Sequence, residues 1–168
     1  MVTMTPEDMV LTPLGLRFFG RRFPCTIGKG GITSDKREGD GATPVGTHRI
    51  AGMLYRPDRV RRPATWATPI GPADLWSDDP TDAAYNLPVR VPYAHSHEAL
   101  RRADPLYDLV LLTDWNYPDA TPGKGSAIFI HRWRNPRHPT EGCVAFSERH
   151  LHWIAHNVDI GTRVIVKP

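Results

Sequence analysis

The chain has 168 residues, of which 17 are proline and 14 glycine, and 40% of it is hydrophobic. That length supports one domain, residues 1–168, with a sizeable core. The turn-formers are spread along the chain, which predicts many short elements and excludes a disordered tract. The net charge of +3 comes from small arginine clusters, read as solvated surface and not as a nucleic-acid footprint.

Leu14 to Phe19 and Phe23 to Ile27 read as two short strands around Gly20-Arg21-Arg22. Gly28 to Gly46 is a glycine-rich loop. It lacks the lysine-serine/threonine pair of a phosphate-binding loop, and no helix pattern follows it. Thr47 to Tyr55 reads as a strand. Pro57 to Tyr93 is rich in proline, tryptophan and aspartate with little periodicity; with the following residues, to about 105, it is expected to form a lid-like insertion over the core, with a short strand near Val89 to Pro92. Ser96 to Asp104 is predicted to be a short helix with Ser96 as its N-cap. Asp108 to Thr113, Ala127 to Ile130 and Arg163 to Val166 are apolar runs of strand length. Ser147 to Asn157 is predicted to be a helix capped by Ser147, with Leu151, Ile154 and Ala155 on its apolar face. The expected fold is mainly β, with one or two short helices.

The first 24 residues carry Glu7 and Asp8 early, and Pro13, Gly15 and Arg17 interrupt the apolar residues. No secretory leader, lipidation signal or membrane span is expected from them, which implies a cytoplasmic protein with no stable membrane insertion. Two cysteines, Cys25 and Cys143, are too few for a disulfide framework. Cys25 sits in an apolar stretch and reads as a buried structural thiol.

Cys143 has a different setting. The run Ile128-Phe129-Ile130 ends on His131, and twelve residues on Cys143 follows Gly142. A cysteine nucleophile needs a base that accepts a proton near neutral pH, and histidine suits that task. A glycine before the nucleophile permits close backbone approach and leaves a peptide N–H for an oxyanion. By spacing alone the pair is also compatible with a structural thiol and a surface histidine. A zinc site built from His131, His138 and Cys143 is the chemical rival. No cysteine pair or His-Glu-x-x-His arrangement accompanies it, so no metal or other cofactor is expected.

These motifs resemble the L,D-transpeptidase catalytic domain of the YkuD type. Gly28-Lys29-Gly30-Gly31, Lys36 and Glu38 to Thr47 are similar to its early signature; Gly125 to His131 followed by Thr140-Glu141-Gly142-Cys143-Val144-Ala145 is similar to its active-site segment; Trp76 to Pro80 with Tyr85-Asn86 is similar to the middle region of one branch. The resemblance spans about residues 14–167. It implies a β-sandwich or barrel in which Cys143 attacks the carbonyl between the L-centre of meso-diaminopimelate and D-alanine in a peptidoglycan stem peptide. It further implies that His131 takes the thiol proton, that the Arg132 carbonyl orients the histidine, and that the N–H groups of Gly142 and Cys143 hold the oxyanion. Where the family carries a histidine before the glycine, this chain has Glu141, which is either a partner for a substrate ammonium or an exposed side chain. The connection from His131 to Cys143 is short for the family.

Arg132, Arg134, Arg137 and Arg149 are candidates for holding the terminal D-alanine carboxylate. Asn116 is expected to line the site, and Asp78, Asp79, Tyr85 and Asn86 are secondary candidates. The implied partner is a peptidoglycan stem peptide or soluble muropeptide; the oligomeric state stays open. The activity expected first is an L,D-carboxypeptidase that trims tetrapeptide to tripeptide. A periplasmic transpeptidase and an inactive peptidoglycan-binding domain are the alternatives.

Overall fold

The structure, a computed structural model, describes residues 3–168. It is mainly β, with fourteen strands and one helix among the described residues. In chain order these are β1 (Met9–Thr12), β2 (Gly15–Phe18), β3 (Arg21–Phe23), β4 (Ile32–Thr33), β5 (Thr43–Pro44), β6 (Gly46–Tyr55), β7 (Thr68–Pro69), β8 (Asp74–Ser77), β9 (Pro88–Arg90), β10 (His97–Ala99), β11 (Leu109–Thr113), β12 (Phe129–Arg132), β13 (Val144–Phe146), α1 (Glu148–Asn157) and β14 (Arg163–Val166).

The main sheet runs in the order β13-β12-β11-β6-β14-β1-β2-β3, with β7 paired to β6. Its two ends approach each other. Beyond β3, Thr26 exchanges two backbone hydrogen bonds with Ala145 of β13, at 2.8 and 2.9 Å. The sheet therefore curls into a barrel, which removes most of its exposed edge. The β2–β3 turn lies at Phe19-Gly20, both with positive φ (48° and 71°), as a tight hairpin requires. This moves the second strand of that hairpin from the expected Phe23–Ile27 to Arg21–Phe23.

β11 explains how the core divides. Its run Leu-Val-Leu-Leu is buried on both faces. Leu109 and Leu111 face a barrel core with Met9, Phe18, Ile50, Met53, Ile130 and Phe146, against which Leu151 and Ile154 of α1 also pack. Val110 and Leu112 face a second cluster with Ile70, Trp76, Leu100, Tyr107 and Phe129. A strand buried on both sides reads as a continuous apolar run, which is the sequence signal seen here. α1 is capped as expected: the Ser147 side chain accepts from the His150 N–H, and Leu151, Ile154 and Ala155 are its buried residues.

The stretch 57–105 is more ordered than its composition suggests. β8 pairs with β9 and with β10 to form a three-stranded antiparallel sheet, and buried Trp76 packs edge-on against Phe129 at 5.0 Å. The expected helix over Ser96–Asp104 is absent. Glu98 instead pairs with Trp76 across the β10–β8 ladder, and Ser96 Oγ donates to Asp78 Oδ1 at 2.6 Å instead of capping a helix. The stretch has no helical apolar stripe to bury, so the available strand partner decides its conformation.

Candidate active site

β12 and β13 lie side by side and parallel, with Ile130 opposite Val144 and His131 opposite Ala145. Strand alternation sends Ile130 and Val144 into the barrel. Phe129 and Cys143 then belong to the outer cluster, and the His131 ring meets Tyr107 there at 5.3 Å. The register of one parallel pair thus puts His131 and Cys143 on a common face, beside the 57–105 stretch. Both line one cavity of about 340 Å³, together with Glu98, Arg102, Tyr107, Trp133, Arg134, His138, Thr140 and Glu141.

The loop that delivers Cys143 is held at several points. Thr140 Oγ1 donates to the Cys143 carbonyl at 2.6 Å and accepts from the Gly142 N–H at 3.1 Å. Gly142 has φ +140°, and a Cβ there would lie 2.9 Å from the Ala42 carbonyl oxygen. Only glycine fits without displacement. Thr43 Oγ1 donates to the Gly142 carbonyl at 2.8 Å and accepts from the Gly28 N–H at 2.9 Å. The glycine-rich loop therefore braces the cysteine loop, with no ligand needed to explain its composition.

Beneath the thiol the chain is strained. Ala127 has φ +52°, a conformation costing a non-glycine residue about 1–2 kcal/mol. Its N–H donates to Asn86 Oδ1 at 2.9 Å and its carbonyl accepts from Cys143 Sγ at 3.0 Å. Asn86 also accepts from the Trp76 indole N–H at 2.9 Å and donates to the Asn116 carbonyl at 2.6 Å. Glu38 accepts from the Tyr85 hydroxyl and from Ser126 Oγ, and the Tyr85 oxygen accepts from the Gly125 N–H at 3.0 Å. Asn86→Ala is expected to cost about 3 kcal/mol of stability in urea denaturation, because it strands two buried N–H donors. An unchanged midpoint would show that Ala127 does not depend on it.

The electrostatics keep the pair neutral. Burial is the main force pushing the Cys143 thiol up to about 12, with the Glu98 charge adding to it; the Phe129 N–H and Lys36 act the other way. Burial lowers His131 to about 4, partly offset by its hydrogen bond to the Arg132 carbonyl. That bond is 2.7 Å long at Nδ1. A carbonyl only accepts, so Nδ1 carries the proton and the Nε2 lone pair is free.

The remaining expected residues scatter. Arg134 and Glu141 line the cavity, and Glu141 is paired with Lys29 at 2.9 Å on the surface. The Arg132 side chain leaves the site to meet Glu148 at 3.1 Å. Arg137 lines a different hollow, with Lys29, Pro136 and Trp133. Arg149 lies on α1 beside Arg21, Arg22 and Trp153 in another. Asn116 ties its own loop together through Thr121 and Gly125. The Gly142 N–H is committed to Thr140, so Cys143 carries the N–H left next to the thiol. Sequence reasoning missed Glu98, Arg102 and Tyr107. Nothing local marks the first two; they arrive through the β10–β8 pairing. Among the described residues no group of three or more His, Cys, Asp and Glu side chains is placed to hold a metal ion.

The family model of the L,D-transpeptidase catalytic domain, YkuD, matches residues 19–166. The chain belongs to this family. It is an L,D-transpeptidase-type enzyme, and the match covers the 57–105 stretch and the main sheet apart from β1 and β2. Searches of curated proteins and of solved structures give no match. The L,D-transpeptidase domain here is mainly β with a nearly closed sheet, as the sequence motifs implied. Among its described residues no helix is long and apolar enough to cross a membrane.

Proposed function

We propose that the protein is a cysteine L,D-carboxypeptidase that removes D-alanine from tetrapeptide stems of soluble muropeptides. The observation that carries this reading is the shared cavity of Cys143 and His131, with the Nε2 lone pair of His131 free. Sγ–H gives its proton to Nε2 as sulfur bonds to the carbonyl carbon of the diaminopimelate L-centre. The Cys143 N–H stabilises the oxyanion. The C–N bond then breaks, and the imidazolium returns the proton to the departing D-alanine amine. Water, deprotonated by the same nitrogen, cleaves the thioester and restores the thiol. Arg134, exposed at the cavity wall, suits the free carboxylate of the terminal D-alanine. A cavity of about 340 Å³ is at the small end of ligand sites, which favours a single stem terminus over two polymer strands.

The test is incubation with a meso-diaminopimelate tetrapeptide muropeptide, with and without a D-amino acid, read by mass spectrometry. Tripeptide formation that is lost in Cys143→Ala supports the proposal. Exchange or cross-linked product without net tripeptide makes the enzyme a transpeptidase. No product in either mixture refutes both.

The pH profile has a sign that follows from burial. The base form of His131 is required, and its pKa lies at about 4. The acid limb of kcat/KM is therefore expected near pH 4, so that activity at pH 5 stays within about twofold of that at pH 7. A limb near 6.5, the ordinary histidine value, would place His131 in a solvated position.

A further inference from the structure

The cavity contains a carboxylate that the acyl transfer does not use. Glu98 reaches it from β10 and is anchored on one side only: its Oε2 accepts from the Tyr107 hydroxyl at 2.7 Å. Among the described residues it makes no ion pair. The cation of the cavity that acts on it, Arg102, is already committed to Asp104 through two bonds of 2.8 and 2.7 Å and lies over the Tyr107 ring at 5.1 Å. Glu141, the other carboxylate of the cavity, is exposed and held by Lys29. Glu98 is thus a largely enclosed carboxyl group without a counter-charge of its own; burial raises its pKa, and its charged form is expected to need a cationic partner.

We propose that Glu98 binds the side-chain ammonium of the diamino acid in the substrate stem, and that this pairing activates Cys143. The inference rests on the L,D-peptidase reading, because the residue whose carbonyl is attacked is the one that bears this ammonium. Glu98 and Cys143 share the cavity wall, so the carboxylate opposes thiolate formation until a cation neutralises it. Binding of the correct side chain removes that opposition just when the scissile carbonyl is in place. The other groups that act on Glu98 do not supply the cation: Asp78 and Glu38 are acidic, Tyr107 is a neutral donor, and Arg102 is shared with Asp104. Selectivity for the diamino acid then resides in turnover as well as in binding.

The experiment compares two tetrapeptides, one with the side-chain amine free and one with it N-acetylated, on the wild type and on Glu98→Gln. The isosteric amide keeps the Tyr107 hydrogen bond. Wild type is expected to prefer the free amine by about tenfold or more in kcat/KM, and Glu98→Gln by less than about twofold. A second readout needs no turnover: iodoacetamide alkylation of Cys143 against pH, followed by peptide mass spectrometry, which separates it from Cys25. Glu98→Gln should move the apparent thiol pKa downward in the free protein, and tripeptide product should move it downward in the wild type only. Equal cleavage of both peptides by the wild type, or wild-type selectivity in Glu98→Gln, overturns the inference and leaves the peptidase reading standing. If no peptide is cleaved, that reading fails by itself. The alkylation profiles then decide: a downward shift in Glu98→Gln supports the coupling, and identical profiles overturn it.

Discussion

Cys143→Ala is expected to abolish tripeptide formation, by at least about 10⁴-fold, while leaving the fold intact. Loss of a nucleophile that acts with its base as a unit removes almost all covalent catalysis, and what remains comes from binding and the oxyanion donor. The structural cost is small. The Sγ atom donates one hydrogen bond to the Ala127 carbonyl, accepts a long one from the Phe129 N–H at 3.5 Å, and packs at the margin of the outer cluster. Its removal should cost about 1 kcal/mol, which for this length is a Tm shift of about 2–4 °C. Cys143→Ser should be nearly as inactive, because a hydroxyl is far harder to deprotonate than a thiol. Residual tripeptide at more than a few per cent of the wild-type rate, in protein that melts normally, would show that Cys143 is not the nucleophile. A large drop in Tm would show that the thiol has a structural role that its contacts do not reveal.

Gly28→Ala should be the most damaging single methyl in the molecule. A Cβ at residue 28 would lie 2.2 Å from the Gly41 carbonyl oxygen and 2.9 Å from the Gly142 Cα. Both neighbours are backbone, so no side chain can rotate away. The added volume must push Gly41 or Gly142, or break the bond from the Gly28 N–H to Thr43 Oγ1. Overpacking of this kind costs about 1–3 kcal/mol and sometimes more. The displacement falls directly on the residue before Cys143. Activity is therefore expected to fall by about 100-fold even in the fraction that stays folded, since a shift near 1 Å at a reacting group has that effect. Urea denaturation and active-site alkylation measured on the same preparation separate the two losses. Gly20→Ala, where nothing lies within 4 Å, is the control for a glycine of purely conformational value.

The sequence made parts of this architecture legible, and the reasons are local. β11 and α1 declared themselves because each buries a full periodic pattern: four consecutive apolar residues for a doubly covered strand, and Ser147 followed by an apolar face for a capped helix. The motif around Gly142-Cys143 was legible because its glycine is demanded by backbone geometry. The helix expected at Ser96–Asp104 failed because nothing within that segment reveals β8, the strand that captures it. The hairpin shift at β3 has a similar origin, since Phe19 adopting positive φ is a turn signal that only its neighbour Gly20 hints at. Arginine was the least readable residue. Of the four expected near the thiol, Arg134 lines the cavity, Arg132 turns to Glu148, and Arg137 and Arg149 border other hollows. Arg132, for one, follows a distant carboxylate, Glu148, that spacing does not encode. Glu98 and Tyr107 were invisible because a side-chain hydrogen bond between β10 and the turn before β11 joins them.

The position of β14 has a consequence for when this enzyme becomes one. β14 lies between β6 and β1, parallel to the latter and antiparallel to the former, and it joins the two parts of the main sheet. The barrel seam at Thr26 and Ala145 likewise joins segments far apart in the chain. Pairings of such separation must overcome loop-closure entropy before they return any contact energy, so they form late and set a slow folding rate. Residues 25–28 and 140–145 border that seam, and they include the Gly142-Cys143 loop. A partly synthesised chain lacking residues 163–166 would carry the β12 and β13 segments with His131 and Cys143 but not the strand that joins β6 to β1. The cavity shared by His131 and Cys143 is thus framed by pairings between segments far apart in the chain, and a chain stopped before residue 163 is expected to lack that frame.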